Sequence, residues 1–131
     1  MKGKIYVIGL GPGDADHMTV RALRAIEECR VLVGYTVYIE QVKNLSAGKE
    51  IVKKAMGQEI ERGKIAVERA AAGNVVGVVC SGDAGVYGMA GLILELLKDH
   101  PQREEISWEV IPGITSALSC SSLLGAPIVE D

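Results

Sequence analysis

The sequence contains no phenylalanine, one tryptophan and four tyrosines among 131 residues, which leaves little with which to stack the bases of a single-stranded nucleic acid. A basic excess is missing as well. Fourteen Lys and Arg against seventeen Asp and Glu give a formal charge of -3, which argues against a nucleic-acid binder held by a basic patch. Cysteine is scarce, and Cys29, Cys80 and Cys120 have neither the paired spacing of zinc ligands nor the even count of a disulfide framework. They read as reduced, buried small groups. The two histidines, His17 and His100, are far apart and read as solvated or capping side chains, so no metal site is expected. No Ser-His-Asp, Cys-His or paired-carboxylate constellation is recognisable, and no catalytic acid or base can be assigned.

Long apolar runs are also few. Ile5 to Ile8 is shorter than the ~7 to 15 residues of a secretion-signal core, so a cytoplasmic protein is expected. Val110 to Val129 carries no charge for twenty residues, but Pro112, Gly113, Gly125, Pro127 and five Ser or Thr interrupt it. It reads as a strand end, a turn and a buried helix rather than a membrane span.

What is present is the material of one α/β domain, within the usual ~100 to 200 residues. Lys4 to Gly9, Val31 to Gly34, Glu50 to Val52, Val75 to Cys80 and Ser107 to Ile111 are short apolar runs expected as strands. Between them, a helix from Asp16 or Thr19 to Arg30 presents Val20, Leu23 and Ile26, and Tyr35 to Leu45 suggests a helical turn. A charged helix from Gln58 to Ala72, with Ile60, Ile65, Val67 and Ala71, stops at Gly73-Asn74. Further helices are expected over Val86 to Leu97 and Thr115 to Leu124. The alternation predicts a mostly parallel five-stranded sheet flanked by helices.

In such a sheet, ligands sit outside the carboxyl ends of the strands, so the loops there carry the information. Three stand out: Gly9-Leu10-Gly11-Pro12-Gly13-Asp14, Ser81-Gly82-Asp83-Ala84-Gly85 and Pro112-Gly113-Ile114-Thr115-Ser116-Ala117. A dinucleotide fingerprint fails in the first, because Asp14 stands where the last glycine is needed and no acidic residue closes the second strand. A Walker A loop fails too, since none of Gly3-Lys4, Gly48-Lys49 or Gly63-Lys64 is followed by Ser or Thr. In the second loop Asp83 can cap the next helix, yet Gly82, Gly85 and Gly88 exceed what a cap needs and suggest a ligand close to the backbone. The third can be a simple turn capped by Thr115 or Ser116.

Taken together and in this order, the three loops resemble the tetrapyrrole (corrin and porphyrin) methylases. Tyr6 to Asp14 looks like the opening signature of that family, Ser81-Gly82-Asp83 its middle one, and Val110 to Ala117 its third. Within the family, Val33-Gly34-Tyr35 with Tyr38, Met56-Gly57-Gln58-Glu59, and the unbroken run Ser81 to Gly91 resemble the precorrin-3B C17-methyltransferase branch of cobalamin biosynthesis. The resemblance implies methyl transfer from S-adenosylmethionine to C17 of precorrin-3B or its cobalt form, with ring contraction. It also implies that residues 1–131 correspond to the amino-terminal one of two domains, with the donor held between them and little turnover by this part alone. Carried over residue by residue, donor contacts would come from Pro12, Ser81, Gly82, Asp83, Val86, Thr115 and Ser116. Gly13 and Asp14 would face the tetrapyrrole, the expected partner. Thr115-Ser116 stands where the family has Thr-Ala. A homo-oligomer is expected from the apolar segment Val110 to Val129. Alternatives are another tetrapyrrole methylase, a diphthine synthase-like enzyme, or a non-catalytic α/β binding domain.

Overall fold

A computed structural model describes residues 2–11, 18–55, 57–80 and 89–113. Its centre is a five-stranded sheet of β1 (Gly3–Gly9), β2 (Val31–Tyr35), β3 (Glu50–Lys54), β4 (Val75–Cys80) and β5 (Ile106–Ile111), in the order β3-β2-β4-β1-β5. All four strand pairings are parallel. The β-branched residues of β1 and β4 face both sides and are buried on both, which is why these central strands lack polar alternation.

Helices α1 (Val20–Glu28) and α2 (Thr36–Gln41) cover one face, and α3 (Glu59–Ala71) and α4 (Ala90–Lys98) cover the other. The connections from β1 to β2 and from β2 to β3 run toward the β3 edge over the α1 face. Those from β3 to β4 and from β4 to β5 run back over the α3 face. Reversing direction and face together keeps one hand of crossover, as twisted parallel sheets require. One core packs Ile5, Val7, Val33, Val76 and Val78 against Ala66, Val67, Ala70, Ile93 and Leu97; the other packs Ile8, Leu10, Leu32 and Val79 against Ala22, Ala25, Ile26 and Ile39.

Several elements differ from the sequence expectation. Thr19 caps α1, its Oγ1 accepting the Ala22 N–H at 3.0 Å, but the helix ends at Glu28 rather than Arg30. The sheet takes the chain over there: Cys29 is extended, and the Arg30 N–H already donates to the Val75 carbonyl at 2.8 Å. The Tyr35 to Leu45 region is a short helix followed by a 3-10 turn at Lys43–Leu45, and β3 runs two residues past Val52, to Lys54. In α3 the inward face is Arg62, Gly63, Ala66, Val67 and Ala70, while Ile60 is 58% exposed. Small residues face inward because α3 lies close to its neighbours: a Cβ on Gly3 would fall on the Ala70 carbonyl, and one on Gly63 would meet Leu96 Cδ1 at 2.6 Å. The helix read from Val86 is described from Ala90 onward, and the helix read over Thr115 to Leu124 lies outside the described residues.

Cys29 and Cys80 are buried, as expected, while Cys120 and His17 lie outside the described residues. His100 is a capping side chain, its Nδ1 accepting the Gln102 N–H at 3.1 Å. Among the described residues no helix is long and apolar enough to cross a membrane.

Candidate functional site

Parallel pairing sends every carboxyl end to one edge of the sheet. The three motif loops follow β1, β4 and β5, and these are neighbours in the order β4-β1-β5. Gly9 stands opposite Cys80, and Ile8 opposite Ile111. With strands ~4.8 Å apart, the outer two of this trio are separated by roughly 10 Å, a span that one nucleoside-sized ligand can bridge. Beyond β1 the Leu10 N–H donates to the Cys80 carbonyl at 2.9 Å, so the two chains stay paired to their last residues. Gly11 then adopts φ 77°, a left-handed conformation that glycine takes without a Cβ clash, and turns the chain at the end of β1. Leu10, Cys80 and Ile111 are buried beneath this point and form an apolar floor.

The predicted contact residues begin where this frame stops. Pro12, Gly13 and Asp14 follow Gly11; Ser81, Gly82, Asp83 and Val86 follow Cys80; Thr115 and Ser116 follow Gly113. All nine lie outside the described residues. The fold brings together the strand ends that carry them.

The topology adds a second bank that the loop motifs did not reveal. From β2 the chain leaves toward β3, whereas from its neighbour β4 it leaves toward β5. Connections diverging from adjacent strands open a crevice at their carboxyl ends. Its far bank is made by the ends of β2 and β3. Tyr35 closes β2 with its ring 5.5 Å from that of Tyr38, edge to face, and is paired in register with Lys54 at the end of β3.

Behind Lys54 a clasp holds the connection into α3. The Gln58 Oε1 accepts the Ala55 N–H at 2.9 Å, and Arg62 Nη1 donates to the Ala55 carbonyl at 3.3 Å. Gly57 between them has φ 87°. Arg62 is 7% exposed and its Nε is enclosed without a hydrogen-bond partner. The spacing of Gln58, Glu59 and Arg62 contains this clasp, but the apolar pattern of the helix gives no sign that the arginine turns inward.

Charges around β1 pair locally. Glu109 takes Lys4 at 3.2 Å and also Arg21, while Tyr6 donates its hydroxyl to Glu28 at 2.5 Å. Burial pushes the Cys29 thiol up from 9.0 to about 12 against the opposing pull of Lys49, so it is no nucleophile.

Comparison with known proteins decides the family. A model described as Tetrapyrrole (Corrin/Porphyrin) Methylases matches residues 4–131. The chain belongs to this family. Among curated relatives of this methylase, a cobalt-factor III methyltransferase of Priestia megaterium is 47% identical, the match covering 100% of the chain and 25% of that protein. A probable cobalt-factor III C(17)-methyltransferase of Salmonella typhimurium is 44% identical over 97% of the chain and 52% of that protein. The chain thus spans between a quarter and about half of these relatives. Among solved structures, the methyltransferase CobJ superposes with a TM-score of 0.90 at 36% identity, covering 98% of the chain and 54% of that protein. A uroporphyrin-III C-methyltransferase of Thermus thermophilus, solved with S-adenosyl homocysteine, gives 0.75 at 30% identity over 98% of the chain and 50% of that protein.

Proposed function

We propose that this methylase chain is the amino-terminal, donor-binding half of an S-adenosylmethionine-dependent C17-methyltransferase of cobalamin biosynthesis, acting on precorrin-3B or its cobalt form with ring contraction. The observation that carries the reading is the adjacency of the β4, β1 and β5 carboxyl ends, each followed by one of the three family loops. The same frame fits the donor. Its floor is apolar and buried, and loops that follow three neighbouring strands can enclose one small molecule.

When bound, S-adenosylmethionine supplies a methyl carbon already activated by a positively charged sulfur. The chain's own task is to align and to exclude water, which needs positioned backbone and small side chains rather than a reactive triad. Ser81, Gly82, Asp83 and Val86 after β4, Pro12 after β1, and Thr115 and Ser116 after β5 would hold the donor. Gly13 and Asp14, later in the first loop, would face the tetrapyrrole. Among these groups the Asp14 carboxylate is able to accept a hydrogen bond or a proton.

The test is methyl incorporation. The complete polypeptide carrying this sequence, incubated with precorrin-3B or cobalt-factor III and a methyl-labelled donor, is expected to yield a product labelled at C17; label at another carbon would reassign the substrate. A cytoplasmic location and self-association belong to the same reading. Sedimentation velocity is expected to show a dimer or larger, and a monomer at high concentration would contradict it.

A further inference from the structure

The second bank of the crevice carries positive charge whose counter-ions are absent or weak. Along β3 side chains alternate between the faces. Lys53 reaches Glu40 of α2 at 3.0 Å, whereas Val52 packs into the core under α3. Lys54 therefore falls on the α3 face, at the carboxyl edge, and among the described residues it takes part in no ion pair. The next residue, Ala55, is the one whose carbonyl takes Arg62, so the guanidinium stands at the same corner.

Arg62 is poorly compensated for a buried cation. Its bond to Ala55 is long at 3.3 Å, Glu59 is 3.7 Å away with a side chain 52% exposed, and among the described residues its Nε–H has no partner. Its positive charge stands where screening is weak. The clasp on Ala55 explains where the arginine stands but gives its charge no full partner. An anion attracted to the corner gives one, with Lys54 as the accessible contact and Arg62 as the fixed charge behind it.

We propose that Lys54 and Arg62 form a cationic subsite on the α3 side of the crevice, which takes a peripheral carboxylate of the macrocyclic substrate. The subsite rests on the methyl-transfer reading for its ligand but lies on β3 and α3, apart from the loops assigned to the donor. Arg62 acts here as a positioning residue, holding the Ala55 carbonyl and so the end of β3. Lys54 touches the ligand.

The experiment uses the complete polypeptide, an octacarboxylate porphyrin as the macrocycle probe and S-adenosyl homocysteine as the donor-site probe. Lys54→Gln is expected to weaken porphyrin binding about tenfold, the size of one lost charge-assisted contact, and to flatten its dependence on salt. Binding of S-adenosyl homocysteine and the thermal midpoint are expected to stay unchanged. Arg62→Lys keeps the charge but not the fork, and is expected to weaken porphyrin at least as much while still binding S-adenosyl homocysteine. Porphyrin affinity unchanged in both variants, with S-adenosyl homocysteine still bound, overturns the subsite and leaves the donor cleft standing. A fall in thermal midpoint for Arg62→Lys without loss of porphyrin affinity makes the arginine purely structural and overturns its part. A parent protein that binds the nucleoside but no porphyrin overturns the subsite; one that binds neither overturns the methyl-transfer reading as well.

Discussion

Single side chains in this methylase are set by how little room the sheet leaves. Gly77 in the middle of β4 interrupts a run of valines, and a Cβ there would lie 2.7 Å from Cys29 Sγ and 2.9 Å from Leu32 Cδ2. The sulfur that occupies this space donates to the Ala25 carbonyl at 3.1 Å, and its burial raises the thiol pKa from 9.0 to about 12. The sign of the linkage follows. Above pH 9.0 the unfolded chain releases this proton while the folded chain keeps it, so stability falls as pH rises toward 12 and is independent of Cys29 below that window. Urea midpoints compared at pH 8 and 10.5 are expected to drop more in the parent than in Cys29→Ala; equal drops would mean that Cys29 titrates as freely as in the unfolded chain. The strand itself was legible from its valines. The glycine was not, because its reason is a sulfur 48 positions earlier in sequence.

At the level of elements, local chemistry decides where helices begin and the sheet decides where they stop. Thr19 is extended and closes the first turn of α1 through its hydroxyl, with no acidic residue in that turn to share the work. Thr19→Ala is expected to cost about 1 kcal/mol in urea denaturation; a loss below a few tenths would mean that packing of Ala22, Ala25 and Ile26 holds this end without the cap. Such capping is readable from sequence, and so were all five strands, since each apolar run ends at a glycine, tyrosine or polar turn. The exit of α1 was not readable, because Arg30 is taken by Val75 of a strand formed much later. The inward face of α3 escaped for a related reason. Hydrophobicity pointed to Ile60, Ile65, Val67 and Ala71, of which Val67 is buried and Ile65 and Ala71 pack against the core but Ile60 is exposed, whereas close packing on β1 and α4 selected Gly63, Ala66 and Ala70, and the clasp on Ala55 drew Arg62 inward.

Across the whole molecule, function depends on strand order, which no local pattern specifies. The three loops are separated by up to a hundred residues, and only the order β3-β2-β4-β1-β5 makes their strands neighbours. Their glycine-rich composition already marked the loops, and the family model now accounts for that likeness over residues 4–131. The opposite bank, from Tyr35 to Lys54 and Arg62, became visible only through the divergence of the connections at β2 and β4. On the proposed reading the donor is held between these loops, so removing the Asp83 carboxylate is expected to weaken the ligand without unfolding the sheet. Isothermal titration of the complete polypeptide with S-adenosyl homocysteine, beside Asp83→Asn, measures this directly. Saturable binding by the parent, weakened about tenfold or more in the variant at an unchanged thermal midpoint, is the expected result. No binding by the folded parent, or equal affinity in both proteins, would contradict a donor cleft at the ends of β4, β1 and β5.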